Sequence, residues 1–274
     1  MDDFPRSVRG ALSALTHKKT HAFKLDQIVV QIVTCSTKPV SPMVARYAAK
    51  VVQTLWPFRN CRNHSFTAQL YMCDVPKYLP AKGVLTTDHV NTGFSYPCKS
   101  LVVYRKQEWF KVFIHECFHY LALDEGIAEM IRLDMFSLSF DVSLRETYSE
   151  MWARLLQTSF LGGGVQKERT FAVRNMVRVL RHSGLVYSDL WGVKGEEYKE
   201  QTNVFAYVVL TAILLHDYAA FVEAFPHFRG NMKTMLSLIR RSYRAPSFLR
   251  RVRLEEAQRS DTGPFRMSIL EIKV

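Results

Sequence analysis

The chain has 274 residues, of which 48% are hydrophobic and 23% are charged. This composition supports a sizeable buried core and excludes an intrinsically disordered chain. The 37 Lys+Arg residues exceed the 25 Asp+Glu residues, and the formal net charge of +12 allows an anionic partner on a basic surface. Much of the excess lies in the C-terminal arginines, for which a solvated basic helix face is the simpler interpretation.

The apolar pattern predicts strands in the first third of the chain and helices afterwards. Strands are predicted at 25–35, 69–73 and 100–104, with a helix at 42–55 between the first two. From Lys106 the apolar period becomes helical. Further helices are predicted from Ser143 to just before Gly162, at 170–182, at 201–219 and at 232–243, after which the chain is rich in arginine.

These elements predict an α+β fold with a small mixed N-terminal sheet and a mostly helical remainder. Residues 1–104 form a mixed α/β half with an edge strand, 105–160 form two central helices, and 165–274 form a helical half with a basic tail. No repeat or low-complexity segment interrupts the chain, so we expect a single domain over 1–274.

Five cysteines without a C-x-x-C pair predict neither a disulfide framework nor a thiolate zinc site, and they favour a reducing compartment. The first ten residues, MDDFPRSVRG, lack the apolar core of a secretory signal. The longest mainly apolar run, 204–215, is shorter than the roughly 20 residues of a membrane span. We therefore expect a chain that is not secreted and has no transmembrane segment.

Residues 115–119 read His-Glu-Cys-Phe-His, an H-E-x-x-H motif inside the predicted helical region. Residues four apart lie on one face of a helix, so His115 and His119 can bind one Zn²⁺ ion. Glu116 lies about 100° round the helix, where it can take a proton from a zinc-bound water. Because the surrounding helix is strongly apolar, an accidental match on an exposed helix is the weaker explanation.

The third zinc ligand is predicted on the next helix, where Glu146 and Glu150 are four residues apart. This pair resembles the second-helix motif of the gluzincin zinc peptidases. The resemblance implies that Glu146 binds zinc and that Glu150 orients a ligand histidine. Ser143 and Glu146 also spell a capping box, in which case Glu150 would be the ligand. Glu125 and Glu129 are weaker alternatives because they follow His119 so closely.

Two other features belong to the predicted site. Residues 101–104 form either a strand beside the metal helix that pairs with an extended substrate or a buried core strand, and Gly93 permits close backbone contact in the loop before it. Tyr207 is the preferred donor to the transition-state oxyanion, because polar residues precede it at the start of an apolar helix. Tyr148, Tyr120, His182 and His216 qualify only by residue type.

Residues 102–114, 146–153 and 203–207 together resemble metallopeptidase-like proteins of the large nucleocytoplasmic DNA viruses, the giant viruses. The resemblance implies a zincin-like domain of gluzincin type, a peptide or protein substrate, and a location in the host-cell cytoplasm or the virion. The expected function is therefore zinc-dependent peptide hydrolysis. The alternative is a basic nucleic-acid- or virion-binding protein with a structural or vestigial zinc site.

Overall fold

The structure is a computed structural model that describes residues 4–25, 28–62, 65–259 and 262–272. Their contacts divide the chain into two compact units. Unit 1 contains the described residues of Met1–Lys77, Asn91–Leu123 and Leu270–Val274, and unit 2 contains those of Tyr78–Val90 and Asp124–Ile269. The H-E-x-x-H motif thus belongs with the N-terminal sheet. The single zincin-like domain stays a prediction.

Unit 1 is built on a five-stranded mixed sheet, and the predicted α+β fold class is confirmed. The strand order is β1-β2-β3-β5-β4; the β1–β2 and β4–β5 pairs are antiparallel and the others parallel. The strands are β1 (His17–Leu25), β2 (Ile28–Ser36), β3 (Ser65–Cys73), β4 (Gly93–Tyr96) and β5 (Ser100–Arg105).

Two of these strands were not predicted from the sequence. The expected strand at 25–35 proves to be β2, and Leu25 ends a preceding strand, β1, whose side chains are mostly exposed. Alternating polar residues on an exposed edge strand give little hydrophobic signal. Of the two alternatives for 101–104, the buried core strand is confirmed and the substrate-pairing strand is excluded, because β5 lies between β3 and β4 and pairs with both. The edge strands are β1 and β4.

Three helices accompany the sheet in unit 1: α1 (Arg6–Leu12), α2 (Pro42–Leu55) and α4 (Trp109–Tyr120). The bounds of α2 match the prediction, and Ser41 caps it by accepting a hydrogen bond from the Met43 amide. Helix α4 begins three residues later than expected, because Glu108 has a left-handed backbone (φ 59°). Eleven of the twelve residues in α4 are buried, so almost its whole circumference lies in the core.

Unit 2 is helical, as predicted for the back part of the chain. Its helices are α3 (Thr87–Val90), α5 (Leu144–Leu161), α6 (Val165–His182), α7 (Thr211–His216), α8 (Tyr218–Ala224), α9 (Met232–Ser242) and α10 (Pro246–Glu256). The predicted end of α5 is confirmed by Gly162, whose φ of 63° suits glycine. The predicted helix at 201–219 is instead a π-helix, Phe205–Leu210, followed by α7 and a bend. Helix α10 was missed.

The cysteine prediction is wrong for one pair. Cys61 and Cys98 form a disulfide that closes a sequence separation of 37 residues within unit 1, whereas Cys35, Cys73 and Cys117 are free and buried. An odd cysteine count without a short-range pair gave no indication of this bond, since its partners are distant in sequence. The described part of unit 1 thus contains one disulfide, which links two segments that are distant in sequence.

In the described part of the chain no individual helix has the length and apolar character of a membrane span. Phe205–His216 and Tyr218–Ala224 meet that test only when taken together, and the chain bends by 95° between them.

Candidate metal centre

The motif histidines lie side by side on α4. His115 Nε2 and His119 Nε2 are 3.0 Å apart, and the two ring centroids are separated by 4.8 Å. This is the convergence that the four-residue spacing predicts. His115 is buried, with an exposed fraction of 6%, whereas His119 is partly exposed. The pair therefore presents two ring nitrogens to one point at the boundary of the unit 1 core.

The separation of these nitrogens fits a zinc ion. Two ligand nitrogens at 2.0–2.1 Å from a tetrahedral Zn²⁺ lie about 3.3 Å apart, which requires only a small opening of the observed pair. The same distance also suits a hydrogen bond between one N–H and the other ring's lone pair. Two imidazole nitrogens at this spacing are thus suitable zinc ligands. Metal analysis of the protein distinguishes a bound zinc ion from a hydrogen bond between the two rings.

Glu116 is held beside the histidines by a residue that sequence reasoning missed. Ser95 Oγ, on β4, donates a hydrogen bond of 2.8 Å to Glu116 Oε2. The carboxylate is buried, with 7% of the residue exposed. A hydroxyl donor helps to fix the rotamer of this carboxylate. Strand alternation could have indicated Ser95 had β4 been recognised, because it shares a strand face with Gly93.

Gly93 allows β4 to approach α4 at the position of Glu116. A Cβ atom there would lie 2.8 Å from the Val102 carbonyl oxygen, 2.9 Å from Val112 Cγ1 and 3.1 Å from Glu116 Cγ. Only glycine fits this approach without displacing the strand. The predicted role of Gly93 in close backbone contact is confirmed, although it begins a strand rather than lying in a loop.

The C-terminal end of α4 is anchored by two loops of unit 1. The Cys98 amide donates to the Tyr120 carbonyl at 2.9 Å, and the Asn60 amide donates to the Leu121 carbonyl at 2.9 Å. Asn60 Nδ2 also donates to the Ala122 carbonyl at 2.8 Å. These bonds satisfy carbonyl groups that a helix end leaves without intrahelical partners. They fix the last turn of α4, which carries His119.

Cys117, within the motif, is fully buried in α4. Burial raises the pKa of its thiol well above the ordinary value, and the negative charge of Glu116 raises it further. A thiol that stays protonated is a poor metal ligand and a poor nucleophile. Cys117 is therefore a small apolar residue of the α4 core.

Glu146 and Glu150, the predicted carboxylates, lie on α5 in unit 2 and have different surroundings. Glu146 is partly exposed in the first turn, where Ser143 Oγ accepts its backbone N–H at 3.3 Å. Glu150 is fully buried and pairs with Arg154 Nε at 2.9 Å. Arg154 also contacts Glu168 Oε1 at 3.0 Å. The charge of Glu150 is thus already compensated inside unit 2, whereas Glu146 lies near the solvent.

Arg145, which precedes Glu146, holds the start of α5 in place. Arg145 forms a two-pronged ion pair with Asp124, with both N–O distances at 3.1 Å, and Asp124 is fully buried. The hydrogen bond to Asp124 helps to raise the pKa of Arg145 against the effect of burial. Glu129 lies 3.9 Å from Arg145 Nη1 and is largely exposed. This pairing fixes the helix turn from which the Glu146 side chain projects.

Tyr207, the predicted oxyanion donor, lies in the π-helix of unit 2 and is 9% exposed. Such π-helical segments are frequent at functional sites. Its role stays a prediction. Among the weaker candidates, Tyr148 packs against Phe221 and Phe225 in an aromatic cluster of the same unit.

No protein-family model matches this chain, and a search of curated proteins found no match. The resemblance to giant-virus metallopeptidase-like proteins, and the expected location in host-cell cytoplasm or virion, therefore stay predictions. The function must be argued from the residues.

Proposed function

We propose that this chain is a zinc-dependent metallopeptidase of gluzincin type that hydrolyses peptide bonds. The observation that supports this best is the arrangement on α4. Two histidine Nε2 atoms lie 3.0 Å apart, and between them in sequence stands Glu116, buried and held by Ser95. A core helix rarely carries two imidazoles and a carboxylate in sequence without a use for them, since burial of such groups is costly.

We propose Glu146 as the third ligand. His115, His119 and Glu146 offer two imidazole nitrogens and one carboxylate oxygen, a group that could hold a metal ion. Such a set suits a catalytic zinc site with one open position. Glu150 is the weaker choice, because removing it from its buried pair with Arg154 would leave an uncompensated charge.

In this proposal each side chain has a separate task. Bound zinc would polarise the substrate carbonyl and make a water molecule more acidic. Glu116 accepts a proton from that water on one carboxylate oxygen and delivers it to the leaving amine. Ser95 is proposed to orient Glu116 through its hydrogen bond to Oε2. Tyr207 is proposed to donate to the oxyanion.

Metal content tests the ligand assignment. Purified wild-type protein is expected to retain about one zinc per chain, and His115→Ala and His119→Ala to lose most of it. His17→Ala is the matched control, because this histidine is exposed on β1 in unit 1 and lies outside the motif. Glu146→Gln should weaken zinc binding more than Glu150→Gln does. Equal zinc content in wild type and both motif variants would refute the site.

Peptide hydrolysis tests the catalytic assignment separately. A quenched fluorescent peptide library should be cleaved by wild type, and Glu116→Gln should reduce cleavage by at least about a thousandfold while zinc stays bound. Retained cleavage by Glu116→Gln would exclude it as the base. Bound zinc without any cleavage would instead support a structural zinc site in a basic binding protein. Such a protein should bind nucleic acid in a salt-sensitive way, and Glu116→Gln should leave that binding unchanged.

A further inference from the structure

A concave site lies in unit 2, formed by α6, α10 and the segment at 263–266. It is a cavity of about 450 Å³, and a neighbouring cavity of about 350 Å³ shares Phe171 and Arg174 with it. The larger volume is in the range of pockets that hold small molecules. The proposed hydrolase function uses none of its lining residues.

The larger cavity is lined by five arginines: Arg174, Arg178, Arg181, Arg259 and Arg266. The first three are spaced by four and three residues on α6, so they lie on one helix face. Among the described lining residues one carboxylate, Glu255, opposes them, and its Oε2 lies 3.1 Å from Arg174 Nε. Five positive charges and one negative charge leave an excess of about four around the cavity. A concave surface concentrates that positive potential.

The cavity wall is fixed by hydrogen bonds from α6. Arg178 is mostly buried and donates to the carbonyl oxygens of Gly263 and Pro264, and its guanidinium also lies over the Phe265 ring at 5.7 Å. Asn175 Nδ2 donates to the Arg266 carbonyl. Carbonyl partners orient a guanidinium without neutralising it. Arg178 is therefore held in place at the cavity wall, whereas Arg174 and Arg259 reach it from the surface.

We propose that this cavity binds a small phosphorylated molecule, of the size of a nucleotide. Guanidinium groups match phosphate oxygens in two-pronged hydrogen bonds, and several phosphate oxygens are needed to balance an excess of about four charges. Phe171 and Val177 supply apolar surface for the non-phosphate part of the ligand. A concave volume of about 450 Å³ suits a small molecule better than a polymer.

Binding to the full chain tests this site with defined probes. Isothermal titration calorimetry with pyrophosphate and ATP should show saturable binding, and adenosine, which lacks phosphate, should show none. The double variant Arg174→Gln/Arg259→Gln should weaken both affinities by about tenfold or more. Arg250→Gln/Arg253→Gln is the matched control, because both arginines are exposed on α10, lie outside the described lining and remove the same charge.

Each result supports or overturns the proposal. Loss of affinity only in the cavity variant, with an unchanged thermal unfolding midpoint, supports it. Arg259→Gln alone provides a second test, because substitution of an exposed side chain usually changes stability by less than about 0.5 kcal/mol. Absence of saturable binding by either phosphate probe, an equal loss in the control pair, or binding of a single-stranded oligonucleotide alone overturns it.

Discussion

A buried ion pair at the start of α4 gives a prediction that needs no knowledge of the substrate. Lys77 Nζ lies 2.7 Å from Glu108 Oε2, and both side chains are fully buried. Lys111 and Arg105 are also buried and act electrostatically on Lys77. Burial lowers the pKa of Lys77 although Glu108 opposes this effect, and Lys111 lowers it further. Glu108 is thus a fully buried anion among buried cations, and the exposed Glu271 accepts a hydrogen bond from its backbone N–H at 3.2 Å.

Glu108→Gln should destabilise the protein strongly, because it leaves buried cations without this carboxylate. Breaking a buried ion pair from one side costs about 3–5 kcal/mol. With a urea dependence of about 3 kcal/mol/M, the unfolding midpoint should fall by roughly 1–2 M. Lys77→Met should cost less, because it removes a buried positive charge and leaves Glu108 with other cations nearby.

Urea unfolding followed by far-ultraviolet circular dichroism measures both variants. Glu223→Gln, an exposed change of the same type, serves as control and should stay within about 0.5 kcal/mol of wild type. If Glu108→Gln does not fold, Glu108→Asp, which keeps the charge, should recover a folded chain. A cost below about 1 kcal/mol for Glu108→Gln, or a larger cost for Lys77→Met, would refute the reasoning.

Three further predictions concern Ser95 and the disulfide in unit 1 and Glu200 in unit 2. Ser95→Ala removes the hydrogen bond to Glu116 and should lower peptide hydrolysis by about 10–100-fold with zinc content unchanged; an unchanged rate would contradict the positioning role. Burial raises the pKa of Glu200 in the folded protein to about 8, whereas its value in the unfolded chain is 4.5. The folded state therefore favours the protonated carboxyl group, and this contribution to stability is complete below pH 4.5 and is lost as the pH rises towards 8. The free energy of unfolding should therefore fall over that window by at most about 1.4 kcal/mol per pH unit, and Glu200→Gln should flatten the profile measured by urea unfolding. Replacing Cys61 and Cys98 by serine should lower the free energy of unfolding by about 2–4 kcal/mol, from the 37-residue separation that the disulfide closes; equal stability with and without reductant would show that the bond contributes nothing.

The features of the site that lie on a single helix could be predicted from the sequence. The spacing of His115 and His119 fixes their relative direction once α4 forms, and the structure places their Nε2 atoms 3.0 Å apart. Ser95 was not found, since the four-residue strand that carries it has no strong pattern of its own. Its contact with Glu116 depends on how β4 packs against α4, which is a non-local property.

Sequence by itself determined the α+β class, the bounds of α2 and α5, and the histidine pair, because helical periodicity and capping act over a few residues. Only the tertiary structure decided that β5 is an interior strand, that Cys61 bonds to Cys98, and that three arginines of α6 line a cavity. Each of these depends on segments distant in the chain. Their proximity is set by the packing of the core, for which local residue patterns carry little information.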